Sequence, residues 1–325
     1  MKTTQPLPVS DHFSLEQLAD GVYAAIHREG GGAIGNAGIV DLGGRTLIYD
    51  TFIAPRPAED LRDAAQALTG RPVDTVINSH WHSDHIWGNQ VFSQCTDILS
   101  TEETRRRIIA ARDDGDYQAE LAGAEADLEA TRARYETAQD EGQRRELSLW
   151  IDQCQSVVEA KPILQVRAPN LTFTRRLAFH GSKRSAELIE FVGGHTQSDL
   201  VLWLPGEGIA FMGDLLFVGC HPWLGGCDPD SLPGILDAVS GLAPRVLVPG
   251  HGPVGTADSV AQMQEYVLTL DGLARAMIQR GEPEERIDGM AIPEPYNRWQ
   301  ITSFFAGNLR HLYRHRLREQ AGQPL

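Results

Sequence analysis

The chain is poor in cysteine. Its four residues, Cys95, Cys154, Cys220 and Cys227, are too few and too scattered for a disulfide framework. None forms a CxxC pair, which excludes a thiolate zinc knuckle or a dithiol redox motif. No apolar run reaches the roughly eighteen residues of a membrane span, and MKTTQPLPVSDHF at the start lacks the apolar stretch of a leader. Membrane association is therefore not expected, and the plain expectation is a cytoplasmic protein. Positive charge is also scarce: 29 Lys and Arg against 44 Asp and Glu leave a formal −15. Such a chain gains no counterion-release affinity for phosphate backbones, so nucleic acid is not an expected partner. The glycine-rich GGGAIGNAG (30–38) lacks the Lys-Ser/Thr that closes a phosphate loop. No internal repeat stands out.

What remains is a 325-residue chain, 42% hydrophobic, able to bury a substantial core. The first eighty residues read as strands joined by glycine turns: 21–26, 36–42 and 45–50, with Gly43-Gly44 suited to a hairpin. Residues 55–70 have helical spacing and stop at Gly70, and 72–79 is an apolar strand. Residues 102–160 contain no proline and are rich in helix formers. Their apolar spacing predicts a helical hairpin that turns at DEGQ (140–143) and ends before Pro162. Strands return at 171–179, 186–193, 199–205, 208–214 and 245–250. Helices are expected at 231–242, 257–280 and 301–320. The organisation expected is a single domain over 1–325, with the hairpin inserted at 102–160 and a C-terminal helical extension at 281–325. Two successive halves of strands and helices suggest an α/β (α+β) fold: two packed sheets with helices outside, an αββα sandwich.

The densest chemistry lies in SHWHSDH (79–85). As a strand, it would put His80, His82 and Asp84 on one side and His85 on the other. As a loop at a strand end, it could divide them between two metals. Mixed imidazole and carboxylate ligands suit a borderline cation such as Zn²⁺. Three further stretches share one pattern, an apolar strand ending in a ligand-type residue beside glycine. They are GGHTQSD with His195, FMGD with Asp214 and VPGHGPVG with His251. The glycines allow close backbone approach to a crowded centre.

The ordered set HWHSDH, GGHT, MGD, PGHG resembles the metallo-β-lactamase-fold hydrolase superfamily, from about residue 20 to 270 except for 102–160. The resemblance implies a four-layer αββα sandwich with its site at one edge of the sheets. It implies that His80, His82 and His195 bind one metal, that Asp84, His85 and His251 bind a second, and that Asp214 bridges them. It also gives Asp84 a part in orienting the nucleophilic hydroxide or relaying its proton. Many antibiotic-degrading members carry cysteine or serine where this chain has Asp214, which points to the broader hydrolases. Cys220 is expected in the core or a loop. The expected cofactor is a pair of Zn²⁺ ions, with Fe or Mn as alternatives. Two such ions roughly 3.5–4 Å apart would acidify a shared water.

Around the ligands, Asp50 is either a partner for a ligating histidine or a turn residue, and Thr196 has the same two readings. Asn36 lies where the resemblance puts a loop near the site. Trp81, Trp87 and Trp223 are candidates for either the pocket wall or the core, with Trp223 favoured for the wall. His221 reads as a surface residue or a substrate contact. The inserted helices would form a lid over the site or a homodimer interface. The leading expectation is a dinuclear metallohydrolase acting on a small ester, thioester, lactone or lactam. The alternatives are an iron-dependent oxidoreductase of sulfur compounds, a phosphodiesterase and a non-catalytic metal-binding protein. No lysine or arginine cluster lies beside the motifs to grip a phosphate.

Overall fold

The computed structural model describes residues 6–322. Residues 1–5, which open the stretch inspected for a leader, and 323–325, the end of the expected extension, lie outside the described residues. Two sheets form the centre. The first contains β1 (Phe13–Ala19), β2 (Val22–His27), β3 (Ala37–Asp41), β4 (Thr46–Tyr49), β5 (Thr75–Ile77), β6 (Asp97–Thr101) and β7 (Leu171–Phe173), side by side in chain order. Pairing is antiparallel through β4 and parallel from β4 to β7. Parallel neighbours need a crossover, and α1 (Pro55–Thr69) supplies it between β4 and β5. The second sheet orders β8 (Arg176–His180), β9 (Ser185–Val192), β10 (Ser198–Leu204), β11 (Ile209–Phe217) and β12 (Val246–His251), with β11 and β12 parallel.

Strand alternation builds the layers. Leu47, Tyr49, Ile77 and Leu99 point between the sheets, where they meet Leu200, Leu202, Leu204 and Phe211. Their chain neighbours Ile48, Val76 and Ile98 point outward onto Leu61, Ala64 and Ala65 of α1. On the second sheet Val201 and Trp203 point away from the interior. They pack with α6 (Leu232–Ser240), α7 (Ala257–Gln279) and α8 (Phe304–Gln320). Each such aliphatic side chain contributes about 1.5–3 kcal/mol by leaving water. The layers are thus the expected αββα sandwich. The segment 281–325 contributes α8, whose Phe305, Leu309 and Leu312 share one core cluster with α6, α7 and β11. The Tyr49 hydroxyl donates to the Leu200 carbonyl across the sheets. Asp41 accepts from Lys183 of the opposite layer at 2.5 Å. Among the described residues, no helix is long and apolar enough to cross a membrane.

Several elements differ from the sequence reading. The run 171–179 is two strands in different sheets, because Arg175 adopts a left-handed φ of 68° and sends the chain from β7 to β8. The strands β1 and β6 were absent from the reading. β1 is an edge strand whose Glu16 and Gln17 are exposed, which hides its apolar pattern, and DILST is too short to show a period. The region 102–160 holds the expected hairpin, α4 (Asp116–Thr137) packed on α5 (Glu141–Ala160), and before it a further helix, α3 (Glu102–Asp113). Gly115, at φ 95°, breaks α3 from α4. The turn between α4 and α5 falls at residues 138–140, slightly earlier than DEGQ, where Asp140 caps α5 by accepting from the Gln143 amide at 2.8 Å.

Candidate metal centre

The two sheets bring their chain-reversal ends to a common edge, and seven ligand-type side chains meet there. His80 and His82 leave the short strand β5 in a bend, and Asp84 and His85 sit on the single-turn helix α2 (Ser83–Ile86). The strand alternation considered for SHWHSDH therefore does not operate, and the turn into α2 divides the residues. His195 lies in the turn between β9 and β10, Asp214 within β11 and His251 at the end of β12.

The side chains form two groups. His80, His82, His195 and Asp214 make one, and Asp84, His85 and His251 make the other. Asp214 faces both. Its Oδ2 lies 3.3 Å from His195 Nε2 and 3.8 Å from His80 Nε2, while its Oδ1 lies 3.1 Å from His85 Nε2 and 3.5 Å from His251 Nε2. Asp84 Oδ2 completes the second group at 3.2 Å from His251 Nε2 and 3.5 Å from His85 Nε2. In the first group His195 Nε2 is 3.0 Å from His82 Nδ1.

Glycine makes this closeness feasible. A β-carbon on Gly250 would stand 1.8 Å from Asp214 Oδ1, so the residue before His251 can carry only hydrogen. Gly213, at φ 53°, would press a β-carbon to 2.7 Å from Ser79 Cβ.

The rings are held from behind. Asp50 is itself at a left-handed φ of 59° and fully buried. It accepts from the Ser79 amide at 2.7 Å and pairs with His85 Nδ1 at 2.9 Å. Ser79 Oγ pairs with His80 Nδ1 at 2.9 Å. Both arrangements leave Nε2 directed inward, the usual geometry of a ligating imidazole. His251 stacks on Phe217 at 5.0 Å. Thr196 bonds Asp199 through its amide and its hydroxyl (2.8 Å), fixing the turn that carries His195.

The donor set fits a cationic centre. His80 Nε2, His85 Nε2 and Asp214 Oδ1 are buried without a protein hydrogen-bond partner, although buried polar atoms are nearly always paired. Burial pushes the Asp214 carboxyl up, but the imidazoles of His251, His85 and His195 outweigh it and hold the group well below the usual carboxylate range. Conversely, burial pushes His251 down, and Asp214 with Asp84 overcomes that and draws it up to about 9. His85 is raised well above its ordinary value against the same burial, by Asp214, Asp84 and Asp50. Burial drives His195 down to about 3. The carboxylates thus draw positive charge onto the centre, and a metal ion would satisfy that demand in place of protons.

The centre opens into a cavity of about 580 Å³. Asp84 and His251 face it with 18% and 14% of their side chains exposed, while His80 and His85 are sealed. The inserted helices reach this cavity through Tyr117 and Glu120 of α4 and Trp150 of α5. Tyr117 also donates to the Trp81 carbonyl at 2.6 Å, tying α4 to the ligand-bearing bend.

Other site candidates separate clearly. Trp223 lines the cavity, 43% exposed, and Trp81 lines it too, whereas Trp87 is fully buried in the core. His221 is neither a surface residue nor a cavity residue. It is fully buried, 2.9 Å from the Tyr266 hydroxyl and 3.0 Å from the Tyr296 carbonyl, because the C-terminal segment closes over HPWLGG. Asn36 does not line the cavity. Its Nδ2 donates to the carbonyls of Pro249 and Gly252, on either side of His251, and its Oδ1 accepts from the His27 amide. Cys220 is buried, as expected, at the cavity's edge. Glu120, Trp150 and Phe304 were not singled out by sequence, since glutamate and aromatic residues on amphipathic helices carry no local signal of a site, and neither was His27, a lone histidine at the end of β2.

Comparisons with known proteins agree with this geometry. A family model described as Metallo-beta-lactamase superfamily matches residues 30–251. A metallo-beta-lactamase type 2 from Bacteroides fragilis is 23% identical over 268 residues, covering 80% of this chain and 87% of its own. Among solved structures, a metallo-beta-lactamase from Pontibacter korlensis aligns with a TM-score of 0.56 at 19% identity, over 79% of this chain and 99% of that one. A stereoselective inverting sec-alkylsulfatase from Pseudomonas sp. aligns with a TM-score of 0.66 at 16% identity, over 96% of this chain and 52% of its own.

Proposed function

The chain belongs to the metallo-beta-lactamase superfamily, and from that premise we propose that it is a dinuclear metallohydrolase of a small ester, thioester, lactone or lactam. The observation that carries this reading is the two-sided carboxylate of Asp214, with one oxygen directed at each ligand group. His80, His82 and His195 would hold one ion, Asp84, His85 and His251 the other, and Asp214 both. Zinc suits this imidazole and carboxylate set. When bound, such a pair supplies Lewis-acid polarisation of the scissile carbonyl and acidifies a water at neutral pH.

The chain's own residues supply the rest. Asp50 and Ser79 hold the His85 and His80 rings in the ligating orientation. Asp84, exposed to the cavity, is placed to orient the attacking water and take its proton on the carboxylate. Trp81, Trp150, Trp223 and Phe304 wall the cavity and exclude bulk water around a small organic substrate. We take the inserted helices as a cap over the site rather than a dimer surface, because their side chains line that cavity. Among the described residues lining it there is no lysine or arginine. That disfavours a phosphodiester and also a sulfate ester, the substrate type named for the alkylsulfatase relative. The acidic chain likewise speaks for a small molecule over nucleic acid.

The test is a hydrolysis panel of neutral esters, thioesters, lactones and lactams on protein of measured metal content, with His82→Ala as control. Two equivalents of metal and turnover lost in His82→Ala are the expected result. Iron together with thiol-dependent oxygen uptake would replace this reading with the oxidoreductase one.

A further inference from the structure

The cavity over the metal centre has a charge pattern that the reaction type does not explain. Three carboxylates from the inserted helices line it: Asp116 and Glu120 on α4 and Asp152 on α5. Among the described residues, none of the three belongs to a group able to share a metal ion. Among the described residues none of the three forms an ion pair, although Glu125 on the same helix is paired with Lys161 at 2.6 Å. Glu120 is only half-buried, yet its hydrogen bond comes from a neutral group, Ser83 Oγ at 2.8 Å, next in sequence to Asp84. Asp152 Oδ2 accepts from the Gly30 amide at 3.1 Å. Glu120 and Asp152 are held by neutral donors, and among the described residues lining the cavity there is no lysine or arginine.

The rest of the wall is aromatic. Trp150 and Trp223 both meet Phe304, at 5.3 Å and 66° and at 5.2 Å and 58°. Trp81 lies on the same cavity beside the ligand bend. Angled indole and phenyl faces with nearby carboxylates attract an organic cation through the ring quadrupoles and through direct charge. The formal −15 of the chain adds a long-range field of the same sign.

The geometry points to a substrate that carries an ammonium group, its cationic head seated between Glu120, Asp116 and the Trp150–Phe304–Trp223 wall, and its ester or amide carbonyl turned towards Asp84 and His251. This names a substrate class for the site read above as a hydrolase, and so rests on that reading for the chemistry but not for the binding. An anionic substrate would meet three acids and, among the described residues of the wall, no lysine or arginine. A purely apolar one would leave the acids desolvated without compensation.

The test uses charge-matched probes on the metal-loaded protein. For binding, quenching of tryptophan fluorescence is followed with benzyltrimethylammonium and with its uncharged carbon isostere. The cation is expected to bind about tenfold more tightly. For turnover, the benzoate ester of choline is compared with 3,3-dimethylbutyl benzoate and with a carboxylate-bearing ester of the same length. The order expected for kcat/KM is cation, neutral, anion. In Glu120→Gln, and separately in Asp116→Asn, the ratio of cationic to neutral kcat/KM is expected to fall several-fold. Because this is a ratio within one protein sample, a loss of folded protein does not mimic it. Equal or weaker binding of the cation, or a ratio unchanged in both variants, overturns the inference. Selective cation binding with no ester cleaved would support the inference and count against the hydrolase reading. Cleavage with the neutral or anionic ester preferred would do the reverse.

Discussion

Replacing Asp50 by asparagine tests the site with almost no change of shape. Asp50 is buried, with one oxygen on the Ser79 amide at 2.7 Å and the other on His85 Nδ1 at 2.9 Å. Its φ of 59° lies in the left-handed region, which asparagine tolerates nearly as well. Alanine would add strain of about 1–2 kcal/mol there and blur the result. Asparagine keeps the oxygen on Ser79 but turns an amide N–H towards His85. Either the ring keeps its Nδ1 proton and two donors face each other, or the proton moves to Nε2, the atom directed at Asp214 and Asp84. Both outcomes weaken His85 as a ligand. Losing such a partner costs 10–100-fold in metal affinity, about 1.4–2.7 kcal/mol. A competition titration against a chromophoric chelator should therefore show one of two bound equivalents weakened by that factor, the other within about threefold, and circular dichroism unchanged. If both affinities match the unaltered protein while His85→Ala loses the second ion, Asp50 is not acting through His85 and the reasoning fails.

Gly250→Ala would force a β-carbon to within 1.8 Å of Asp214 Oδ1. We expect loss of about 1–3 kcal/mol of stability in urea melts and a much larger loss of activity, since the carboxylate shared by both groups must move. Asp41 is nearly buried, and although burial pushes its carboxyl up, Lys183, the Gly43 amide and Arg71 outweigh that and lower it. Its folded value lies below the unfolded one, so its stabilisation is complete above the ordinary carboxylate range and disappears as pH falls through the depressed value. Asp41→Asn should cost about 1–3 kcal/mol at pH 7 and flatten the acid limb of stability against pH; a limb of unchanged slope contradicts this. Thiol labelling should distinguish exposed Cys95 from buried Cys227. Burial pushes the Cys227 thiol up, and it does not line the cavity, so it should react with a disulfide reagent only after unfolding. Fast native labelling of Cys227 would mean that the core opens readily.

How much could be read in advance follows from how local each signal is. His80, His82, Asp84 and His85 fall within six positions, so their density alone marked a site. His195, Asp214 and His251 each follow an apolar run and adjoin glycine, a pattern that survives without tertiary information. The layers were legible for the same reason: in RTLIYD and DLVLWLP, residues two apart must share a face. By contrast, the sheet change at Arg175 depends on a single backbone angle, which LTFTRRLAF does not announce. The break at Gly115 likewise rests on one left-handed angle within an otherwise helical pattern.

By itself, then, the chain's sequence determined the donor types, their order and the alternation that makes two half-buried sheets, because these depend on residue identity and short spacing. Only the tertiary structure decided where ligand-type side chains more than a hundred positions apart would meet, and that Asp214 turns one oxygen to each group. It also put Glu120, Trp150 and Phe304 over the centre, sent His221 into the core and gave Asn36 to the backbone around His251. Those outcomes rest on which helix face finds an apolar partner and which buried polar atom finds a hydrogen bond, and both are properties of the packed chain.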